Sequence, residues 1–173
     1  MKRGGDASTA RVGARGFGVG EVVEFGLDFK AWSERNGGNS IPPLMIVQGI
    51  LNPQLLALLA RVRHTNTLVI ADRGFPFWPG LETVDISLID DVPTVLQVLL
   101  AVRANYTVTQ AFMAKEFALE NTAATRAAFA AALKGVKVVT ESHVSLKRRV
   151  PGAIGVIRTA DTTQYANMVL VSG

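Results

Sequence analysis

From Met45 onward, apolar segments with a helical period alternate with short apolar runs that are typical of strands. The helical segments cover residues 53–63, 93–102, 122–134 and 142–149. The strand-like segments cover residues 68–71, 83–87, 106–112, 136–139, 153–158 and 167–171. Strands separated by helices predict an α/β domain, here a three-layer sandwich with a largely parallel sheet.

Several of the predicted helices carry recognisable terminal residues. Asn52 before Pro53 forms an N-cap with a proline in the first turn, and Asn121 caps an alanine-rich helix that ends at Gly135. Asp91 is predicted to open the helix over 93–102. Because that helix is apolar on almost every side, we expect it to be buried.

The first 44 residues have a different composition from the rest of the chain. Nine of the sixteen glycines lie in residues 1–44, and the apolar residues there keep neither a helical nor a strand period. The glycine-rich run over 13–20 fits neither phosphate-binding consensus, and the segment lacks the compact apolar region of a secretory signal. We therefore predict a flexible N-terminal extension over 1–44 and one folded domain over 45–173.

Composition and charge exclude several classes of protein. The chain has 173 residues and no cysteine, which excludes disulfide scaffolds, zinc fingers, iron–sulfur proteins and thiol catalysts. The net charge is only +4, and the basic residues are scattered apart from the cluster over 147–149, so no nucleic-acid groove is predicted. No apolar run reaches the roughly 18 to 20 residues of a membrane span. These features predict a soluble, cytoplasmic protein that binds neither nucleic acid nor membranes.

Polar residues next to the predicted strands are the first candidates for a binding site, because α/β sheets bind ligands beyond the carboxyl ends of their strands. The candidates are His64, Asp72, His143, Lys147, Tyr165, Ala166 and Asn167. His143 and Lys147 are four residues apart and share one helix face. Each candidate also has a possible structural role. His64 could be a surface residue and Asp72 could form a turn. His143 and Lys147 could be an exposed helix face, and Tyr165 and Asn167 could fix the start of a strand.

Three segments of the chain together resemble a known family. The first segment, residues 49–76, has a histidine before the first strand and Asp-x-x-x-Pro after it. The second segment covers residues 84–99, and the third, residues 156–173, has Tyr-Ala-Asn before an apolar strand. Together the three segments are similar to the D-ribose pyranase and L-fucose mutarotase superfamily. The resemblance extends from about residue 45 to the end of the chain. The His-Thr-x-Thr loop and the Tyr-Ala-Asn sequence are more similar to the ribose pyranase branch than to the fucose branch.

The resemblance implies a fold, an activity and roles for the candidate residues. The fold is that of D-ribose pyranase, and the activity is the interconversion of monosaccharide ring forms without a cofactor or a metal. In this family, the residue that corresponds to His64 is the proton donor. The residues that correspond to the sugar-binding site are Asp72, His143, Tyr165, Ala166 and Asn167, with Lys147 as a neighbour. The resemblance also implies a homo-oligomer, a ring-shaped decamer with sites near subunit contacts, to which helices 53–63 and 93–102 could contribute.

Three positions depart from the pattern of the family. Arg63, Asn66 and Arg73 replace a glycine, an aspartate and a small residue. Two guanidinium groups close to the pocket could favour a substrate with a carboxylate, since arginine binds such groups through two hydrogen bonds. The alternatives to a ribose pyranase are an L-fucose-type mutarotase, a monosaccharide-binding protein without catalysis, and a structural ring whose pocket is filled by these arginines.

Overall fold

A computed structural model describes residues 49–173 of the chain. The predicted extension over 1–44 and its boundary with the folded domain lie outside the described residues. The helices are α1 (Pro53–Leu59), α2 (Val95–Asn105), α3 (Glu116–Glu120), α4 (Ala123–Ala132) and α5 (His143–Arg149), followed by a 3₁₀ turn at Val150–Gly152. The strands are β1 (Thr67–Ala71), β2 (Thr83–Asp85), β3 (Val108–Ala114), β4 (Lys137–Glu141), β5 (Val156–Arg158) and β6 (Met168–Ser172).

The six strands form one mixed sheet in the order β2-β5-β1-β6-β3-β4. All neighbours pair in parallel except those of β6, which runs antiparallel to both β1 and β3. The prediction of a largely parallel sheet is confirmed, with β6 as the exception. The connection from Arg158 to Met168 is too short for a parallel crossover, which takes a dozen or more residues, so β6 returns in the opposite direction.

Helices cover both faces of the sheet, which confirms the three-layer sandwich. Successive residues of β1 point to opposite faces. Leu68 and Ile70 belong to a core cluster with the buried residues of α1, α2 and α4. Val69 and Ala71 belong to a second cluster that includes Leu146 of α5. Each face of β1 is therefore buried in a separate apolar layer, as expected for its continuous apolar sequence.

Helix α2 is buried on one side only, so the prediction of a fully buried helix is wrong within this chain. Val95, Val98, Leu99 and Val102 are buried, whereas 51% of the surface of Leu100 is exposed. A helix that lies on one face of a sheet buries only the side that faces it. The outer side of α2 thus leaves Leu100 exposed among the described residues.

Two predicted helix caps are also wrong. The N-cap of α2 is Thr94, whose hydroxyl accepts from the Gln97 amide, while the carboxylate of Asp91 accepts from Thr162 instead. The N-cap of α4 is Thr122 rather than Asn121. In both cases a neighbouring threonine has the extended backbone that an N-cap needs.

Candidate active site at the carboxyl edge of the sheet

The parallel strands end at one edge of the sheet, called here the carboxyl edge, and the antiparallel β6 begins there. Asp72 follows the last residue of β1, and Asn167 precedes the first residue of β6. The loop after β4 leads directly into His143, the first residue of α5. Residues that are far apart in the sequence therefore meet at this edge.

An open cavity of about 240 Å³ lies at the carboxyl edge. It is lined by Asp72, Gly74, Phe75, Pro76, His143, Lys147, Gln164, Tyr165 and Asn167. Sites for drug-sized ligands measure roughly 300 to 1,000 Å³, so this cavity suits a smaller molecule. The mixture of aromatic, carboxylate, amide and amine groups suits a ligand with several hydroxyl groups.

Asp72 and Asn167 form a reciprocal pair in the floor of the cavity. The Asn167 side-chain amide donates to Oδ2 of Asp72 at 2.6 Å, and its Oδ1 accepts from the Asp72 backbone amide at 2.8 Å. The other carboxylate oxygen, Oδ1, accepts from the Gly74 amide at 3.0 Å, so Asp72 is also the turn-forming residue considered from the sequence. Burial raises the pKa of Asp72 above its ordinary value, although the Asn167 hydrogen bond opposes the increase.

His143 and Lys147 lie on the same face of α5, one turn apart, and both line the cavity. The Ser142 hydroxyl caps the helix by accepting from the Ser145 amide at 3.2 Å. Burial lowers the pKa of His143, and the nearby Lys147 ammonium lowers it further. Nδ1 of His143 is buried and has no hydrogen-bond partner among the described residues. Both effects favour the neutral form of the imidazole.

Tyr165 lies against His143 at the side of the cavity. The two rings meet edge to face, with centroids 5.1 Å apart and an interplanar angle of 81°. The backbone of Tyr165 has φ +56°, a left-handed conformation that few residues other than glycine adopt. Ala166, which follows, is completely buried and does not line the cavity, so only its neighbours present side chains there.

His64 does not lie in this cavity. It is exposed, and it precedes β1 whereas Asp72 follows it, which places the two residues at opposite edges of the sheet. Five residues of β1, at about 3.3 Å of rise each, separate these edges by roughly 17 Å. Within one chain, the structure brings five of the seven candidate residues together and leaves His64 and Ala166 outside the cavity.

The two arginines expected near the pocket point elsewhere in this chain. Arg63 donates to the carbonyl oxygens of Ala60 and Val62 at the end of the first helical segment. Arg73 pairs with Asp90 at 2.6 Å on the surface. Neither arginine is among the residues that line the cavity.

Four lining residues were not among the candidates: Gly74, Phe75 and Pro76, which belong to the loop that begins at Asp72, and Gln164. The position of Gln164 directly before the Tyr-Ala-Asn sequence is the signal that would have identified it. Within residues 49–173, no three histidine, aspartate or glutamate side chains are grouped closely enough to hold a metal ion. None of the helices in that part of the chain is long and apolar enough to cross a membrane.

Comparison with known proteins assigns the chain to a family. Residues 45–173 match the model of the RbsD / FucU transport protein family. The chain belongs to this family. It is 38% identical over 125 residues to D-ribose pyranases of Laribacter hongkongensis and Chromobacterium violaceum, and each alignment covers 72% of this chain and 95% of the relative. The resemblance inferred from the sequence is thereby confirmed.

Solved structures of RbsD / FucU proteins share the fold. Bacillus subtilis RbsD complexed with D-ribose aligns with a TM-score of 0.69 and 30% identity, over 75% of this chain and 98% of that protein. FucU from Bifidobacterium longum aligns with a TM-score of 0.61 and 20% identity, over 71% and 95% of the two chains. The second likeness concerns the fold alone. The higher identity to RbsD agrees with the predicted position nearer the ribose pyranase branch.

Proposed function

We propose that this chain is an isomerase that interconverts the ring forms of a monosaccharide such as D-ribose. The observation that carries the proposal is the cavity in which the Asp72–Asn167 pair, His143, Lys147 and Tyr165 meet, in a chain 38% identical to D-ribose pyranases. The alignment with an RbsD that is complexed with D-ribose supports the same substrate class. These comparisons favour catalysis over a sugar-binding role without turnover.

The lining groups complement a polyhydroxylated ligand. Asp72 presents acceptor oxygens, and its carboxylate is held in place by Asn167 and the turn at Gly74. Lys147 supplies donors, and the Tyr165 hydroxyl can both donate and accept. In the neutral form, His143 donates from one ring nitrogen only, and the buried Nδ1 leaves Nε2 for this role. A sugar with several hydroxyl groups would satisfy all of these partners at once.

The reaction needs acid–base chemistry alone. A base removes the proton of the anomeric hydroxyl, the carbonyl forms as the bond from the anomeric carbon to the ring oxygen breaks, and an acid protonates that oxygen. Closure by a different hydroxyl, or on the other face, reverses these steps and gives the new ring form. Sugars already undergo this exchange in water, so general acid–base assistance of roughly 10² to 10⁴-fold is sufficient. No cofactor takes part in this scheme.

We assign the role of the acid to His64, contributed by a neighbouring copy of the chain. Histidine is the side chain best suited to both donate and accept protons near neutral pH. Because His64 is exposed at the edge opposite the cavity, it reaches a sugar only if a second copy brings it to the carboxyl edge. This arrangement requires a homo-oligomer, and the ring-shaped decamer implied by the resemblance provides it.

Exposed apolar side chains support the assembly. Leu56 on α1 and Leu100 on α2 are 37% and 51% exposed, on the two helical segments predicted to contribute to subunit contacts. Leu88 and Ile89, in the turn before α2, are also largely exposed. Burial of such side chains between copies would remove apolar surface from water and so stabilise the oligomer.

The domain organisation and the location in the cell belong to the same proposal. We assign the sugar site to a domain over 45–173, the range that the family model matches, and treat 1–44 as a glycine-rich extension of that domain. A monosaccharide isomerase of this kind would work in the cytoplasm.

Saturation-transfer NMR tests the activity. Exchange between the ring forms of D-ribose, L-fucose and other sugars is measured with wild-type protein, with His64→Ala and with Lys134→Ala, which changes an exposed residue away from the cavity. Faster exchange with the wild type and Lys134→Ala, but not with His64→Ala, is expected, and the most accelerated sugar identifies the substrate. If no sugar exchanges faster with folded wild-type protein, the catalytic proposal is wrong, and binding without turnover becomes the explanation.

A further inference from the structure

We propose that Glu116 is a positioning residue for the sugar site, which it serves by holding His143 in place. The inference rests on the proposed function, because it assumes that His143 binds the substrate. Glu116 is the first residue of α3, two residues after the end of β3. Both of its carboxylate oxygens accept from the backbone amide of His143, at 3.0 Å and 3.2 Å.

The contact lies where α5 most needs support. A helix of seven residues is marginal by itself, so its position depends on what anchors it. Its first-turn amides require acceptors from outside the helix, and His143 carries the first of these amides. Ser142 satisfies the amide of Ser145, while Glu116 satisfies that of His143 from a different element. Glu116 thus ties the start of α5 to the end of β3.

This tie determines where the His143 ring lies. The ring packs edge-on against Tyr165, whose backbone is held in a left-handed turn. Since the Nδ1 atom makes no hydrogen bond with the described residues, no polar contact of the side chain orients the imidazole. The backbone anchor at Glu116 and the contact with Tyr165 are therefore the features that hold the imidazole where it lines the cavity.

The negative charge of Glu116 also stabilises the start of α5. The pKa of Glu116 is lowered, first by its own backbone amide and also by that of His143, so the carboxylate is ionised at neutral pH. The charged or titratable groups that face His143 are Glu116 from α3, Lys147 from α5, Asp72 after β1 and Tyr165 before β6. Two carboxylates thus oppose the ammonium of Lys147, and a negative charge at the N-terminus of α5 is favourable.

Two substitutions separate the hydrogen bond from the charge. Glu116→Ala removes both, whereas Glu116→Gln keeps a side-chain oxygen that can accept from the His143 amide. With the sugar that the wild type isomerises, we expect Glu116→Ala to raise KM by about 10-fold and to change kcat by less than about 2-fold. Glu116→Gln should restore KM to within about 3-fold of the wild type.

Thr122→Ala is the matched control, because it removes the N-cap of α4, a helix that contributes neither to the cavity nor to the proposed subunit contacts. A KM for Glu116→Ala within about 2-fold of the wild type would overturn the proposal. An equal rise of KM in Thr122→Ala, or an equal rise of KM in Glu116→Gln and Glu116→Ala, would also overturn it. In the first case the effect would be general destabilisation, and in the second it would be charge alone.

A second measurement does not depend on activity. The chain has two histidines, so His64→Ala assigns the imidazole NMR signals of His143. We expect Glu116→Ala to shift these signals, because the ring loses its anchor. Glu116→Gln should leave the chemical shifts of the neutral imidazole nearly unchanged and lower the pKa of His143, because one attracting carboxylate is lost. If Glu116→Ala leaves the His143 signals unchanged, the inference is wrong even if the sugar activity is found. If these shifts occur in a protein without activity, the proposed function fails and the positioning by Glu116 holds.

Discussion

Replacing Asn167 by alanine should destabilise the protein in a pH-dependent manner. The substitution removes two hydrogen bonds to Asp72, one of 2.6 Å to its carboxylate and one of 2.8 Å from its backbone amide. Asn167 is buried, with only 2% of its surface exposed, so the freed groups of Asp72 lose partners that water replaces only in part. A hydrogen bond to a charged group contributes about 1.5 to 3 kcal/mol and a neutral one about 1, so a loss of about 2 to 4 kcal/mol is expected at neutral pH.

The sign of the pH dependence follows from the pKa of Asp72. Burial raises this pKa in the folded state above its ordinary value of 3.8, so the folded protein binds the proton more tightly than the unfolded chain. The free energy of unfolding therefore falls as pH rises from 3.8 through the folded-state pKa. Asn167→Ala raises this pKa further, because the Asn167 hydrogen bond is the largest contribution that lowers it. The loss of stability should then shrink in acid, where Asp72 is protonated.

Urea unfolding at a fixed protein concentration, at neutral pH and near pH 4, measures the effect. Asn121→Ala is the control, since this side chain donates only to the carbonyl oxygens of Phe117 and Gln164 and its loss should not depend on pH. A double-mutant cycle with Asp72→Ala should give a coupling of about 1 to 3 kcal/mol. A loss below about 0.5 kcal/mol, or one that is equal at both pH values, would refute the reasoning about the Asp72–Asn167 pair.

Three further predictions concern the site and its surroundings. If sites combine His64 from one copy with Asp72 from another, unfolding and reassembling equal amounts of His64→Ala and Asp72→Ala should restore activity in about a quarter of the sites; no recovery would place both residues in one copy. The NMR titration midpoint of His143 should lie below about 6.5, because burial and Lys147 disfavour the charged form of the imidazole. The free energy of unfolding should then fall as the pH falls below 6.5, because the unfolded chain binds the proton more tightly. A titration midpoint above 6.5 would contradict the burial argument. Removal of residues 1–44 should change kcat/KM by less than about 2-fold if the site belongs entirely to 45–173, and a larger loss would implicate the extension.

The structure explains why sequence reasoning succeeded with local features. Asn52 caps α1 by accepting from the Leu55 amide at 2.9 Å, and Gly135 has φ +83°, as predicted for a left-handed helix end. Ser142 and the helix that follows it also lie where they were expected. Each of these features depends on residues within about four positions of one another, the range over which helix caps and turns act.

The N-terminus of α2 shows where local reasoning failed. Asp91 is a reasonable cap by sequence, yet its carboxylate binds Thr162, and the buried Asp161 accepts from the Val95 amide at 2.7 Å. Asp161 is 66 residues away in the chain, so nothing near α2 in the sequence identifies it. Arg73 likewise pairs with Asp90, although it follows the cavity residue Asp72 directly in the sequence.

The sequence alone determined the α/β class, the alternation of helices and strands, the likeness to the family and most residues of the candidate site. Only the tertiary structure decided that β6 runs antiparallel, which puts Asn167 next to Asp72 across 95 residues. It also decided that Glu116 meets His143 and that His64 faces away from its own cavity. Local propensity and hydrophobic period act over a few residues, whereas a site at the edge of a sheet depends on which strands pair and in which direction, and that is settled by burial of the whole core.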